Sequence, residues 1–185
     1  MTLNPETYMK NYEKLLFDPA VYQQLKEFAS FLNLKRKEGV RLVFAGNGAS
    51  SSISSHAALD FTKQGKIQAI TFTDPALVSA YSNDFGFENA LVEMFNSYRK
   101  NNDLLILVST SGNSENIVNL ATSAKKLGHQ VISFTGRESS NALKTTSDIA
   151  FWVDSHAYNI VENIHMIWLG YLIDCLVGAE VYAVS

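Results

Sequence analysis

A doubly wound α/β fold, with helices on both faces of a parallel sheet of about five strands, is predicted by three observations. Short runs of Val, Ile, Leu and Phe recur without polar alternation, the pattern of strands covered on both faces. Two of these runs end in Gly- and Ser-rich turns that open a helical pattern. Helical stretches separate the strands, and parallel strands need such crossovers.

Two helices precede the first strand. Asn4-Pro5-Glu6 reads as a helix start with Asn4 as N-cap, and Pro19 opens a second helical pattern running to about Gly39. The run 41–45 is the first strand; it ends in Gly46-Asn47-Gly48, and a helix follows from Ser50 to Lys63. Ile67 to Thr73 is the second strand. Asp103 to Ser109 is the third, leading through Ser111-Gly112-Asn113-Ser114 into a helix to about Leu127. Gln130 to Thr135 and Asp148 to Val153 complete the sheet, and Asn159 to about Tyr182 is a last helix, apolar on most sides. Residues 1–185 read as one domain, with 1–39 a helical extension on a core of 40–185. A helix apolar all round is buried all round, so the last one predicts a homo-oligomer.

Composition narrows the function. With 46% hydrophobic and 18% charged residues in a chain of 185, one domain burying roughly 70% of its unfolded surface is expected. Fifteen Lys and Arg against eighteen Asp and Glu leave a net charge of −3 and no basic block, which excludes nucleic acid as a partner. Lys35-Arg36-Lys37 reads as a solvated helix end, its charges favourable at a helix C-terminus. The single cysteine, Cys175, forms no intrachain disulfide and reads as a small buried hydrophobe. No charged leader with an apolar segment opens the chain, and no run approaches the ~20 apolar residues of a membrane span. A soluble, cytoplasmic protein with no membrane partner is expected.

The chemistry sits in the turns. Gly46-Asn47-Gly48-Ala49-Ser50-Ser51-Ser52 and Ser109-Thr110-Ser111-Gly112-Asn113-Ser114 each follow a strand and open a helix, the geometry in which backbone N–H groups and hydroxyls converge on an anion. Neither is a Walker loop or a dinucleotide fingerprint. Both fall at carboxyl ends of strands, where open α/β sheets place ligands, and together they predict a phosphate site. His129 reads as a solvated turn residue, Trp168 as core or interface, and His156 as a loop residue within reach of a substrate contact.

These loops, with His56 to Asp60, Ser82-Asn83-Asp84-Phe85-Gly86-Phe87 and Glu162-Asn163-Ile164-His165, carry a resemblance over nearly the whole chain after the first helix. The sequence resembles the sugar-isomerase (SIS) family, with its flavodoxin-like three-layer αβα fold. Within it the chain looks like the sedoheptulose 7-phosphate (phosphoheptose) isomerases, which supply heptose for bacterial surface polysaccharide such as lipopolysaccharide or capsule. The resemblance implies that Ser109, Thr110, Ser111 and Ser114 surround a sugar phosphate, with Ser50 and Asn47 near it and Asp84 on sugar hydroxyls. It implies interconversion of ketose and aldose phosphates through an enediol, and a tetramer. That reaction needs one group to move a proton between C1 and C2 and another to protonate the carbonyl oxygens.

Two positions depart from the family. Its base is a glutamate where this chain has Asp60, a carboxylate shorter by one methylene. Its second group is a histidine where this chain has Gly170, which offers nothing to a proton. His165 on the same helix is no obvious substitute, because five residues at about 100° each place it some 140° away. Some members hold zinc; here His56, Asp60 and Glu162 are the matching candidate ligands, His56 and Asp60 at i, i+4 on one face. The alternative for these three is a hydrogen-bonded cluster in a cleft, with His56 orienting a hydroxyl and Glu162 contacting substrate. Three functions stay open on the sequence: a sedoheptulose 7-phosphate isomerase with Asp60 as base, a phosphosugar-binding or regulatory protein without turnover, and an isomerase for a different phosphosugar.

Overall fold

The structure, a computed structural model, describes residues 3–183. Its elements run α1 (Pro5–Leu16), α2 (Pro19–Lys37), β1 (Arg41–Gly46), α3 (Ala49–Lys63), β2 (Ala69–Thr71), α4 (Pro75–Phe85), α5 (Phe87–Tyr98), β3 (Asp103–Ser109), α6 (Glu115–Lys126), β4 (Gln130–Thr135), α7 (Ala142–Thr146), β5 (Ile149–Trp152) and α8 (Tyr158–Val177). The five strands are all parallel in the order β2-β1-β3-β4-β5, so the sheet reverses direction of growth between β1 and β3. The predicted doubly wound sheet is the one observed.

Alternate side chains of the strands feed two cores. Leu42, Phe44, Leu104, Ile106, Phe134 and Phe151 point to the layer of α2, α3 and α8. Val43, Ala45, Leu105, Leu107 and Val131 point to the layer of α5 and α6. Both faces are dry, which is why the strands lack polar alternation. At the centre, β3 has all seven residues buried.

Local chemistry sets the boundaries. Asn4, Asp18 and Asp74 accept from Thr7, Ala20 and Leu77 backbone N–H groups and cap α1, α2 and α4, each with proline in the first turn. The second strand is shorter than its apolar run because Lys66 takes a left-handed φ of 56° and ties Ile67 into a loop, its N–H bonded to Phe61 O. The stretch between Asp74 and Asn102, to which the sequence reading assigned no element, holds α4 and α5, divided at Gly86 with φ 77°. Helix α7 was also unforeseen; Asn141 caps it through Lys144 N–H.

Four expectations are corrected. His129 is buried, its Nδ1 3.1 Å from Asp103 O and its ring edge-on to Phe95, because the turn before β4 folds under the sheet. Arg36 is no free solvated charge: it donates to Leu176 O at 2.9 Å and Gly65 O at 3.3 Å. Cys175 is exposed, since it shares a stripe with Ile167 and Tyr171 at i, i+4, i+8 on the outer side of α8. Finally, α8 is long and apolar enough to cross a membrane, with a mean hydropathy of 1.4, yet half of that window is buried inside the fold. Its inner side carries Val161, Ile164, Trp168 and Leu172 into the core, as a core helix does. Its outer side, with Leu16, Phe17 and Tyr22 of the N-terminal helices, lines an open apolar groove of about 330 Å³.

Candidate active site

The two Gly- and Ser-rich loops meet where the sheet reverses, at the carboxyl ends of β1 and β3. Each needs its glycines. A Cβ on Gly46 would sit 2.7 Å from the Ser50 backbone, so only glycine lets the first turn of α3 close on β1. A Cβ on Gly112, at φ 65°, would sit 1.9 Å from Asn141 Oδ1. The loops are stapled to each other by a reciprocal amide pair: Asn47 Nδ2 donates to Asn116 Oδ1, and Asn116 Nδ2 to Asn47 Oδ1, both at 2.9 Å.

Donors are left over at this edge. Among the described residues neither α3, with Gly48 at its N-cap position, nor α6, with Ser114 there, has a side-chain cap, so their first-turn N–H groups keep an anion-facing polarity. Helix α8 also starts uncapped, at Ala157. Ser109 and Thr110 are 5% and 3% exposed, and their hydroxyls hold weak bonds, Ser109 Oγ to Ser114 Oγ and Thr110 Oγ1 to Glu162 Oε1, each at 3.5 Å. Ser109 Oγ also accepts from Gly112 N–H at 3.2 Å, and Ser111 Oγ from Asn113 N–H at 3.2 Å. Ser50 is buried in the first turn of α3. Weakly held hydroxyls and uncapped helix N-termini at one edge of the sheet suit a phosphate.

Glu162 is the negative member of this group. Burial raises its pKa, against the opposing effect of the Thr110 hydrogen bond. One turn further along α8, His165 is fully buried with Nε2 3.1 Å from Thr135 O; burial pushes its pKa down to about 4, so it is a neutral core residue and no proton donor to a substrate. His156 is exposed, 3.6 Å from Glu138 Oε1. Asp84 is exposed at the end of α4 and accepts from Asn83 Nδ2 at 2.9 Å.

Asp60 stands apart from the cradle. It lies eleven residues after Ala49 on α3, about 16 Å down the helix axis. His56 Nε2 approaches its Oδ2 at 3.3 Å. Gly170 lies twelve residues after Tyr158 on α8, about 18 Å down, so the two positions are level on helices that start from the same edge. A Cβ at Gly170 would meet nothing within 4 Å. Glu162 is only four residues, about 6 Å, into α8. Among the described residues no three His, Cys, Asp or Glu side chains gather to hold a metal, and Glu162 does not join His56 and Asp60.

Asn116 and Asn141 were missed by the sequence reading. Asn141 is 2% exposed, donates to Glu138 O at 2.8 Å, and backs the Gly112 turn. Asn116 follows the Ser111-Gly112-Asn113-Ser114 turn by two residues, and that nearness was the available signal for it.

Known proteins are similar to this chain. The SIS domain family model matches residues 16–136. The phosphoheptose isomerase of Helicobacter pylori (strain HPAG1) is 32% identical over 142 residues, 74% of this chain and 73% of that protein. The phosphoheptose isomerase of Akkermansia muciniphila is 32% identical over 152 residues, 79% of each. The structure of a phosphoheptose isomerase from Francisella tularensis superposes with a TM-score of 0.84 at 24% identity, covering 92% of this chain and 95% of that one. With the phosphate-type cradle at the sheet reversal and relatives of this identity and coverage, the chain belongs to the SIS domain family, among the phosphoheptose isomerases.

Proposed function

We propose that the protein is an aldose–ketose isomerase acting on sedoheptulose 7-phosphate, in the supply of heptose for surface polysaccharide, and that it works as a soluble cytoplasmic enzyme. The observation that carries the reading is the cradle itself: two uncapped helices and the hydroxyls of Ser109, Thr110, Ser111 and Ser114 converge at the sheet reversal. A terminal phosphate held there leaves the sugar chain to extend from the crevice toward a base. Asp60 is that base. Its carboxylate takes the proton from C1 of the ketose as the C2 carbonyl oxygen takes one from water to give the enediol, and returns it to C2 as the C1 hydroxyl gives its proton back to water and becomes the aldehyde carbonyl of the aldose. No metal step is used, and a third ligand beside His56 and Asp60 would have to come from outside the chain.

The depth of Asp60 bears on assembly. About 16 Å of helix separates it from its own cradle, whereas a neighbouring copy can bring a cradle to the level of Asp60 and Gly170. The apolar groove between α8 and the N-terminal helices, with Phe17 67%, Tyr22 45%, Ile167 48% and Tyr171 42% exposed, supports a homo-oligomer, a tetramer by family. A monomer in sedimentation at micromolar concentration would remove the shared site.

A second reading is favoured by Gly170. With no side chain there and His165 neutral and buried, the second proton carrier of the family is missing from this helix, as in a protein that binds phosphosugar without turnover. NMR in deuterated water decides. An isomerase incorporates deuterium at C1 or C2 of sedoheptulose 7-phosphate, and Asp60→Asn abolishes it; Gly170→His, for which there is room, raises the rate. No incorporation above a buffer control, with phosphosugar binding intact, establishes the binding protein.

A further inference from the structure

Gln64 and Tyr182 lie outside the phosphate loops, yet their hydrogen bonds end on Asp60. The Asp60 carboxylate is held at both oxygens: His56 Nε2 lies 3.3 Å from Oδ2, and Gln64 Nε2 donates to Oδ1 at 3.2 Å. With its nitrogen spent on Asp60, the Gln64 amide presents its oxygen away, and that oxygen accepts from the Tyr182 hydroxyl. Residues 56, 60 and 64 occupy one face of α3 at successive turns. The relay leaves this helix only to reach the C-terminal segment.

The fold delivers Tyr182 to that place. Helix α8 ends at Gly178 with φ 86°, its N–H closing on Asp174 O at 2.7 Å, and the chain then returns toward α3. Arg36 ties down the base of the return through Leu176 O and Gly65 O, the ends of both helices. Gly65 permits the contact: a Cβ there would already be 3.3 Å from Leu176 Cδ1. The segment after α8 is therefore a strap across the ends of two parallel helices, with the phenol at its tip.

We infer that Tyr182 is a positioning residue for the proton transfer assigned to Asp60: it fixes the Gln64 amide, which in turn aims the carboxylate. The inference rests on the reading of Asp60 as base. A side-chain amide has two faces of opposite polarity, and the wrong one would set two oxygens against each other at Asp60. A hydroxyl donating to the Gln64 oxygen holds the productive face. The aspartate, one methylene shorter than the glutamate of the family, reaches less far, and proton transfer falls steeply with misplacement of the reacting atoms.

Deuterium incorporation into sedoheptulose 7-phosphate by the full chain tests this. Tyr182→Phe is expected to lower kcat about five- to tenfold with KM within twofold, and Gln64→Leu at least as much. The double variant should be no slower than Gln64→Leu alone, because both act through one amide. Unchanged kcat in Tyr182→Phe, multiplicative losses in the double variant, or losses confined to KM overturn the relay. Full incorporation by Asp60→Asn removes the base reading instead, whatever Tyr182→Phe does. A readout without turnover completes the test: the Gln64 side-chain amide protons should exchange with solvent more slowly in the native chain than in Tyr182→Phe, and equal rates overturn the contact.

Discussion

Arg41 and Asp103 begin β1 and β3 at one end of the sheet, and Gly46 and Ser109 end the same strands at the other. At the first end the polar groups are closed on each other. Arg41 Nε and Nη2 reach Asp103 Oδ1 and Oδ2 at 2.7 and 2.8 Å, Tyr98 O takes a further bond from Nη2 at 2.8 Å, and Lys100 N–H donates to Asp103 Oδ2 at 2.6 Å. At the second end, helices start without side-chain caps and hydroxyls hold bonds of 3.5 Å. Among the described residues, Thr71 Oγ1 at the end of β2 and Arg137 Nε just past β4 are buried without hydrogen-bond partners. One chain solves the same problem in two ways because the two ends have different work. Bonds closed within the protein stabilise it, and donors left open are available to a ligand.

The largest effect comes from opening the closed end. Removing one member of a buried ion pair costs about 3–5 kcal/mol, because the other charge is left in a dry site. Asp103→Ala should lower urea-unfolding stability by that amount while the folded fraction binds phosphosugar within twofold of the native chain. A large affinity loss at constant stability would erase the division between the two ends.

His165 gives a second effect of about 3 kcal/mol, read through pH. Its folded pKa is lowered by burial to about 4, below the 6.5 of the free side chain, so the unfolded state binds the proton first. The native chain therefore has its full stability above pH 6.5 and loses it as pH falls toward 4. Unfolding midpoints of native and His165→Gln chains between pH 4 and 8 should converge at low pH if this single ring carries the slope.

Much of this was legible beforehand, for a physical reason. Strands buried on both faces, such as Leu104 to Val108, announce themselves by composition, and Gly112 and Gly46 mark close approaches that only glycine allows. The cradle residues were legible because donors at strand ends come as contiguous Ser and Thr. What stayed hidden depends on contacts distant in sequence. His129 is buried by Phe95 and Asp103 from other elements, Arg36 is tied to the carbonyls of Gly65 and Leu176, and the Asn47–Asn116 staple joins residues 69 positions apart. The separation of Glu162 from His56 and Asp60 stayed hidden for a related reason. Residue types and motif matches named the ligands, but the depth of each along its own helix decides whether they meet.

At the open end the cradle hydroxyls should matter to ligand more than to fold. Ser109→Ala with Thr110→Ala removes two donors to a phosphate, each worth about 1.5–3 kcal/mol as a charged hydrogen bond. Affinity for a phosphosugar by calorimetry should fall more than about tenfold, with the unfolding midpoint close to that of the native chain. Unchanged affinity would remove this loop from the site.

The smallest effect sharpens the comparison most, because it concerns the one negative group at the open end. Glu162 accepts the Thr110 hydroxyl, so in its ionised form it both competes for a donor and repels an arriving phosphate. Burial has raised its pKa, which means that its charge is already disfavoured before ligand arrives. A folded pKa above the unfolded one makes the ionised carboxylate a cost at high pH that fades as pH falls through the raised value. Glu162→Gln keeps the shape, drops the charge and adds a donor. Its affinity for inorganic phosphate should exceed that of the native chain by a few-fold at pH 8, with the gap closing as pH falls and native Glu162 takes up its proton. Equal affinities at pH 8 would mean that Glu162 lies outside the field of the bound anion, and that the open end is shaped by Ser109, Thr110 and the helix N-termini alone.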